Sequence, residues 1–131
     1  PVARERAGRL WCVFGCGGDR DPHKRPLMAA AAETWADRLV LTSDNPRSES
    51  ATAILAQMRA GLSQPQAAAV IEDRAAAIAW TVREAMPADV VLVAGKGHEA
   101  TQEIAGVFHP FSDVEQLQSA LAARAQQGGA R

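Results

Sequence analysis

Four consecutive residues, Asp44-Asn45-Pro46-Arg47, place an acid, an amide and a guanidinium two residues after a short apolar run. Pro46 lacks an amide hydrogen and biases the residue before it toward extended geometry, so the segment is predicted to form a defined turn. An acid can bind an ammonium group, and an arginine fork can bind a carboxylate. The turn therefore suits a zwitterionic amino-acid head group, although the same residues are also typical of an ordinary surface turn.

A glycine-rich segment, residues 15–25, follows a predicted buried strand at residues 10–14. Glycines let a backbone approach a ligand closely, and Arg20 and Lys24 add positive charge, so this segment is either an anion site or a tight turn with solvated charges. It does not complete a dinucleotide-binding fingerprint. Because Asp44 could bind a ribose, a dinucleotide-binding module of a dehydrogenase or regulatory protein stays open as an alternative.

The third unusual segment, residues 95–99, reads Gly-Lys-Gly-His-Glu and follows an apolar run predicted to be the clearest strand. Its Gly-Lys pair suggests a phosphate loop, but glycine rather than Ser or Thr follows the lysine and Val90 occupies the position of the first glycine. Glu99 is then either a ligand for an ammonium group or a surface carboxylate. His98 is expected to be structural rather than a general base.

Strand-like and helix-like segments alternate about four times along the chain. Pro26 suits the first turn of the first helix, and Ser50, Asp73 and Ser112 suit the N-caps of three later helices. The apolar face predicted for the first helix consists of Met28, Ala31, Ala32 and Trp35.

This alternation predicts an α/β, Rossmann-like fold with a mostly parallel sheet and helices on both faces. Residues 101–108 are predicted to form an antiparallel hairpin at the sheet edge. In such a fold ligands bind beyond the carboxyl ends of the strands, where the three unusual segments are expected to meet. Residues 1–131 are expected to form a single domain, with residues 1–8 and 126–131 loose.

The net charge of −1 gives no reason to expect nucleic acid or an anionic membrane as a partner. No apolar run approaches the roughly 20 residues of a membrane helix. Cys12 and Cys16 do not complete a zinc set, and reduced thiols in a cytoplasmic protein are expected rather than a disulfide. No signal peptide is visible and the chain opens with Pro1, so it is expected to be an excised fragment.

Taken together, these motifs resemble the C-terminal domain of the Mur ligases. The similarity is closest to the members that add 2,6-diaminopimelate to UDP-N-acetylmuramoyl-L-alanyl-D-glutamate. The segments that carry it are residues 14–21, 24–26, 44–47, 73–75 and 95–99, in the family's order and spacing. The set spans nearly the whole chain and is specific, whereas any one of its motifs would not be.

The resemblance implies a part in an ATP-dependent, amide-bond-forming ligase of peptidoglycan synthesis, and so in cell wall growth, cell shape and division. In this family the substrate carboxylate becomes an acyl phosphate, which the amine of the incoming amino acid attacks. ATP, Mg²⁺ and the UDP-sugar are bound mainly by two other domains, which this chain lacks. The isolated chain is therefore expected to be inactive, to bind meso-diaminopimelate at most, and to be a monomer.

Carried over to this sequence, the resemblance assigns no catalytic or metal-binding residue. It assigns amino-acid binding to Arg20, Asp44, Asn45, Pro46, Arg47, Gly95 and Glu99. It places Asp19 and Lys24 near the nucleotide. The Asp-Asn-Pro-Arg turn looks like the signature for meso-diaminopimelate over lysine, since the two arginines could grip the carboxylate that lysine lacks while Glu99 holds the ammonium beside it.

Overall fold

The computed structural model describes residues 8–96 and 99–129. At its centre lies a four-stranded, fully parallel sheet. Its strands are β1 (Leu10–Phe14), β2 (Arg38–Leu41), β3 (Ala69–Val70) and β4 (Val90–Ala94). Their spatial order is β3-β2-β1-β4, so the chain steps outward from β1 to β3 and then returns to the other side of β1.

Four helices connect and cover these strands: α1 (Lys24–Trp35), α2 (Ala51–Arg59), α3 (Arg74–Glu84) and α4 (Asp113–Gly129). The predicted N-caps are confirmed, because Ser50, Asp73 and Ser112 each accept a hydrogen bond from the backbone N–H three residues on, at 3.3, 2.9 and 3.3 Å. Helix α4 continues to Gly129, so it includes residues 126–129 of the tail that the sequence suggests is loose.

The helices pack on both faces of the sheet, as predicted. Side chains of β1 alternate between the faces, with Cys12 and Phe14 in the core under α1 and α2, and Trp11 and Val13 in the core under α3. Connections between parallel strands of one sheet share the same handedness. When two such connections run in opposite directions across the sheet, their helices therefore lie on opposite faces. The order of strands reverses between β1 and β4, which is where an open α/β sheet binds its ligands.

The buried face of α1 differs from the prediction. Ala29 and Ala32 are buried together with Arg25, whereas Met28 is 49% exposed. The helix starts two residues before Pro26 and is turned so that the guanidinium of Arg25 reaches Glu49 at 2.7 Å. A buried arginine needs such partners, and this requirement overrides the apolar stripe that the sequence suggests.

The predicted hairpin is present as the antiparallel strands β5 (Thr101–Ile104) and β6 (Val107–Pro110). Its expected place at the edge of the parallel sheet is wrong, because it forms a two-stranded sheet of its own. It pairs instead with the turn after β2, where Arg47 donates to the carbonyl oxygen of Glu103 at 3.0 Å and accepts from Ala105 at 2.7 Å.

Both cysteines are free thiols, as predicted. Burial raises the pKa of Cys12 to about 11. Burial also raises the pKa of Cys16, against the opposing effect of the nearby Arg25. Both groups are therefore protonated at neutral pH and behave as small apolar core residues.

Arg74 fixes the carboxyl ends of β2 and β4 through hydrogen bonds of its buried side chain. Its side chain is fully buried and binds the carboxylate of Asp113 with two hydrogen bonds, of 2.7 and 2.8 Å. It also donates to the carbonyl oxygens of Ser43 and Ala94, each at 3.1 Å. One guanidinium thus joins the start of α4 to two strand ends that flank β1.

We expect Arg74→Met to lower the free energy of unfolding by about 3–5 kcal/mol, because the Asp113 carboxylate would remain buried without its partner. Arg83→Met on the exposed side of the same helix is the matched control and should stay within about 0.5 kcal/mol of the wild type. Urea unfolding followed by circular dichroism measures both. Equal losses in the two variants would contradict the role of the buried pair.

Candidate binding site at the carboxyl edge of the sheet

Two of the three segments singled out in the sequence pack against each other through glycines. A Cβ atom at Gly15 would lie 2.4 Å from the carbonyl oxygen of Thr42, and one at Gly18 would lie 1.8 Å from that of Pro46. Neither distance is possible for a real side chain. The absent side chains let Gly18 donate to the carbonyl oxygen of Asn45 at 2.7 Å, which ties the first loop to the turn.

A cleft of about 310 Å³ opens between these loops. Its walls include Arg20, Lys24, Asp44 and Gly95, so the structure brings together four of the predicted residues from all three segments. Gly95 has a φ of +108°, which side chains rarely adopt.

The side chain of Asn45 is held in one orientation at the centre of the turn. Its Oδ1 accepts from Lys96 Nζ at 2.9 Å and from the backbone N–H of Glu103 at 3.0 Å. Its Nδ2 is therefore turned toward Glu99, whose Oε1 lies 3.5 Å away. Both Asn45 and Pro46 are buried, so the turn is a rigid part of the fold.

Strand β5 fixes the rest of the turn. Gln102 donates to the carbonyl oxygen of Asp44 at 2.7 Å, and the backbone of Arg47 pairs with Glu103 and Ala105. Arg47 has a φ of 54°, an uncommon value for a residue other than glycine, and this backbone pairing holds it there.

The two predicted arginines both lie close to Gly17. A Cβ atom at Gly17 would be 2.8 Å from Nη1 of Arg47 and 3.6 Å from Cγ of Arg20. Arg47 donates to the carbonyl oxygen of Gly18 at 2.8 Å, and its Nε lies 3.6 Å from a carboxylate oxygen of Glu103. Arg20 is exposed at the mouth of the cleft.

Lys96 is a site residue that the sequence does not predict, because its Gly-Lys pair indicates only an incomplete phosphate loop. Its side chain is fully buried, and Nζ lies 3.4 Å from Asp44 Oδ1 and 3.5 Å from Glu99 Oε1. It donates to the carbonyl oxygen of Thr101 at 2.7 Å. The signal in the sequence is a lysine between two glycines at one strand end, in a chain that has an acid, Asp44, near the end of another strand.

The site thus has two ends of opposite charge. At one end a single ammonium, that of Lys96, is shared by the carboxylates of Asp44 and Glu99, which leaves an excess of negative charge. At the other end the Arg47 guanidinium lies beside the carboxylate of Glu103, and the side chain of Arg20 passes close to Gly17 nearby. Such an arrangement can bind an ammonium and a carboxylate of one molecule at the same time.

Asp19, expected near a nucleotide, is not among the residues that line the cleft. Its carboxylate accepts from the Ser48 hydroxyl at 2.5 Å, and its backbone N–H donates to Glu49. Arg25 donates to Glu49 and to the carbonyl oxygen of Gly17, and its hydrogen bond holds the pKa of Glu49 below the usual range. These contacts shape the first loop, whereas Lys24 alone of the two nucleotide-proximal residues lines the cleft.

Within residues 8–96 and 99–129, no cluster of three or more His, Cys, Asp or Glu side chains could hold a metal ion. Over the same ranges no helix is long and apolar enough to cross a membrane. Gly97 and His98 lie outside the described residues, and so does the expected structural role of His98.

The comparison with protein families settles the relationship. The family model for the Mur ligase, glutamate ligase domain matches residues 2–97. This chain belongs to that family. The resemblance drawn from the scattered motifs is therefore confirmed for a Mur ligase domain.

Similar proteins are named UDP-N-acetylmuramoyl-L-alanyl-D-glutamate–2,6-diaminopimelate ligase. One from Ralstonia nicotianae is 60% identical and aligns with 95% of this chain and 24% of its own length. One from Pseudomonas aeruginosa is 56% identical, over 89% of this chain and 24% of its own. A solved structure of a ligase with this name superposes with a TM-score of 0.87 and 45% identity, over 95% of this chain and 26% of its own. The Mur ligase domain described here spans about a quarter of these relatives.

Gly18→Ala in this Mur ligase domain should force the first loop away from the turn, because the new Cβ would overlap the Pro46 carbonyl oxygen. Hydrogen exchange of peptides that cover residues 44–47 should then become faster. Ser119→Ala on the exposed side of α4 is the control, since it is an equally small change at a residue outside the first loop, the turn and the hairpin. Unchanged protection of residues 44–47 in Gly18→Ala would show that the close contact does not hold the turn.

Proposed function

We propose that this chain is the amino-acid-binding C-terminal domain, residues 1–131 as one unit, of an ATP-dependent ligase that adds meso-diaminopimelate to UDP-N-acetylmuramoyl-L-alanyl-D-glutamate in peptidoglycan synthesis. The observation that carries the proposal is that acids and arginines meet around the turn 44–47. Asp44 and Glu99 share the Lys96 ammonium, and the side chains of Arg20 and Arg47 both lie close to Gly17. The names of the similar proteins support the same substrate.

The chemistry of meso-diaminopimelate fits this arrangement. The molecule has an amino-acid head group at each end, so one head can be held while the amine of the other stays free to attack. Arg20 and Arg47 would bind the held carboxylate, and Glu99 with Asp44 would bind the held ammonium. The buried Asn45 and Pro46 would keep the turn rigid, and Gly95 would let the ligand lie close to the backbone.

Selection against lysine follows from the same contacts. Lysine lacks the second carboxylate, so Arg20 and Arg47 would have no substrate carboxylate to bind. A site built to pair a polar group can reject an analogue that lacks it by as much as ~10⁴-fold. The turn 44–47 is therefore proposed as the main determinant of which amino acid is used.

The remaining substrates are proposed to bind mainly in other parts of the ligase. The described residues offer no cluster for Mg²⁺, so no metal site is assigned to this domain. Lys24 on the cleft wall suits an anionic phosphate, whereas Asp19 is engaged with Ser48 and is proposed to act only through the shape of the loop. ATP would supply the phosphoryl group that activates the acceptor carboxylate.

The ligase is proposed to act in the cytoplasm as a monomer, without nucleic-acid or membrane partners. The dinucleotide-binding alternative lacks a specific supporting observation. Its candidate ribose ligand, Asp44, lies 3.4 Å from the ammonium of Lys96 instead of standing alone at the strand end.

Arg47→Ala in the full-length ligase should raise KM for meso-diaminopimelate on the order of 100-fold, because a partly buried, charge-assisted contact to the substrate is lost. KM for ATP should change little. Phosphate release at varied meso-diaminopimelate, and in a second series at varied ATP, measures the two constants. The preference for meso-diaminopimelate over lysine should fall in parallel.

Arg59→Ala is the matched control, since Arg59 is exposed near the end of α2, away from the cleft walls. It removes the same charge and should leave every KM unchanged. The proposal fails if Arg47→Ala retains wild-type kinetics with meso-diaminopimelate, or if both variants lose activity equally.

A further inference from the structure

Lys96 has a role that goes beyond the residues proposed to touch the amino acid. We propose that Lys96 is a positioning residue that sets the affinity for the held ammonium group by orienting Asp44, Asn45 and Glu99. This inference rests on the proposed function and adds to it a residue without direct contact with substrate.

The hydrogen-bonding capacity of Lys96 is already used within the protein. A protonated amine has three donors and no acceptor. One donor goes to Asn45 Oδ1 at 2.9 Å and one to the carbonyl oxygen of Thr101 at 2.7 Å. The third faces the carboxylates of Asp44 and Glu99, at 3.4 and 3.5 Å. No donor is left for a ligand, and the side chain is fully buried, so Lys96 can act only through its neighbours.

The first of these neighbours is Asn45. Its Oδ1 is occupied by Lys96 and by the backbone N–H of Glu103, so the amide nitrogen must face Glu99. Without the ammonium, one of the two contacts that prevent the amide from flipping is lost. The donor that points into the binding site would then no longer be fixed.

The second effect concerns the carboxylates. Asp44 Oδ1 is buried and has no hydrogen-bond donor among the described residues, and the Lys96 ammonium is its nearest opposite charge. Glu99 shares this ammonium from the more exposed side. Removing it would leave two like charges near each other, with one of them desolvated, which drives them apart or toward other partners.

Removing the Lys96 ammonium has two opposing effects on the affinity for the substrate. Removing a cation makes the site more negative, which by itself would favour the substrate's ammonium. Loss of orientation disfavours binding, because the ligand needs both carboxylates and the amide in fixed positions. The buried Asp44 oxygen and the fixed amide favour the second effect, so weaker binding is expected.

The test uses Lys96→Met in the full-length ligase, which removes the ammonium and keeps the length of the side chain. KM for meso-diaminopimelate should rise by about 10- to 100-fold, as for misplaced binding groups in general. KM for ATP and for the UDP-sugar substrate should stay within about twofold. Arg59→Gln removes a charge at an exposed position and should change none of the three.

A second substrate separates positioning from general damage. 2-Aminopimelate keeps both carboxylates and one amine but lacks the ammonium of the held head. With this analogue Lys96→Met should differ from the wild type by only about twofold, because the contact that Lys96 supports is already absent. An equal loss with both amino acids, or tighter binding of meso-diaminopimelate, would overturn the positioning role.

The outcomes also separate this inference from the proposed function. If the wild-type ligase releases no phosphate in response to meso-diaminopimelate, the proposed function is overturned. An active wild type whose Lys96→Met variant keeps its KM would overturn the role of Lys96 alone. If circular dichroism shows that Lys96→Met is not folded, the same KM values are compared for Lys96→Gln, whose shorter side chain can still donate to Thr101.

Discussion

The geometry of the site depends on one buried guanidinium. Arg74 binds the carbonyl oxygens of Ser43 and Ala94, and the residues that follow these two are Asp44 and Gly95, which lie in the cleft wall. Because β2 and β4 flank β1 on opposite sides, no direct strand pairing fixes one relative to the other. The bidentate pair with Asp113 supplies that link and adds the start of α4 to it. The loops can therefore be irregular while their anchor points stay fixed.

Much of this arrangement was predictable because it follows from local chemistry and topology. The capping side chains of Ser50 and Asp73 mark helix starts through hydrogen bonds within three residues. The convergence of residues 15–25 and 44–47 follows from the rule that parallel strands end at one edge. The face of α1 was not predictable, because Arg25 is buried by partners on distant segments. Lys96 was not predicted for a similar reason, because Asp44 and Asn45, two of its partners, belong to a turn that is distant in sequence.

Backbone strain is concentrated where the function is proposed. In the described part of the chain, non-glycine residues with positive φ are Asp19, Arg47 and Ala105. The first lies in the glycine-rich loop, and the other two pair with each other through a hydrogen bond of 2.7 Å. Left-handed backbone disfavours such residues by about 1–2 kcal/mol each, so surrounding contacts must hold them. The neighbouring strand β5 and the Gly18 carbonyl supply these contacts to Arg47.

The attachment of the hairpin has a consequence for how amino-acid preference can be exchanged between related domains. Strand β5 meets the backbone or side chain of Asp44, Asn45 and Arg47, yet it does not extend the parallel sheet. The turn and the hairpin therefore form one hydrogen-bonded unit, and the parallel sheet is complete without it. Transplanting residues 44–47 by themselves would leave Gln102 and Glu103 facing a foreign backbone. A successful graft would carry β5 and β6 along with the turn.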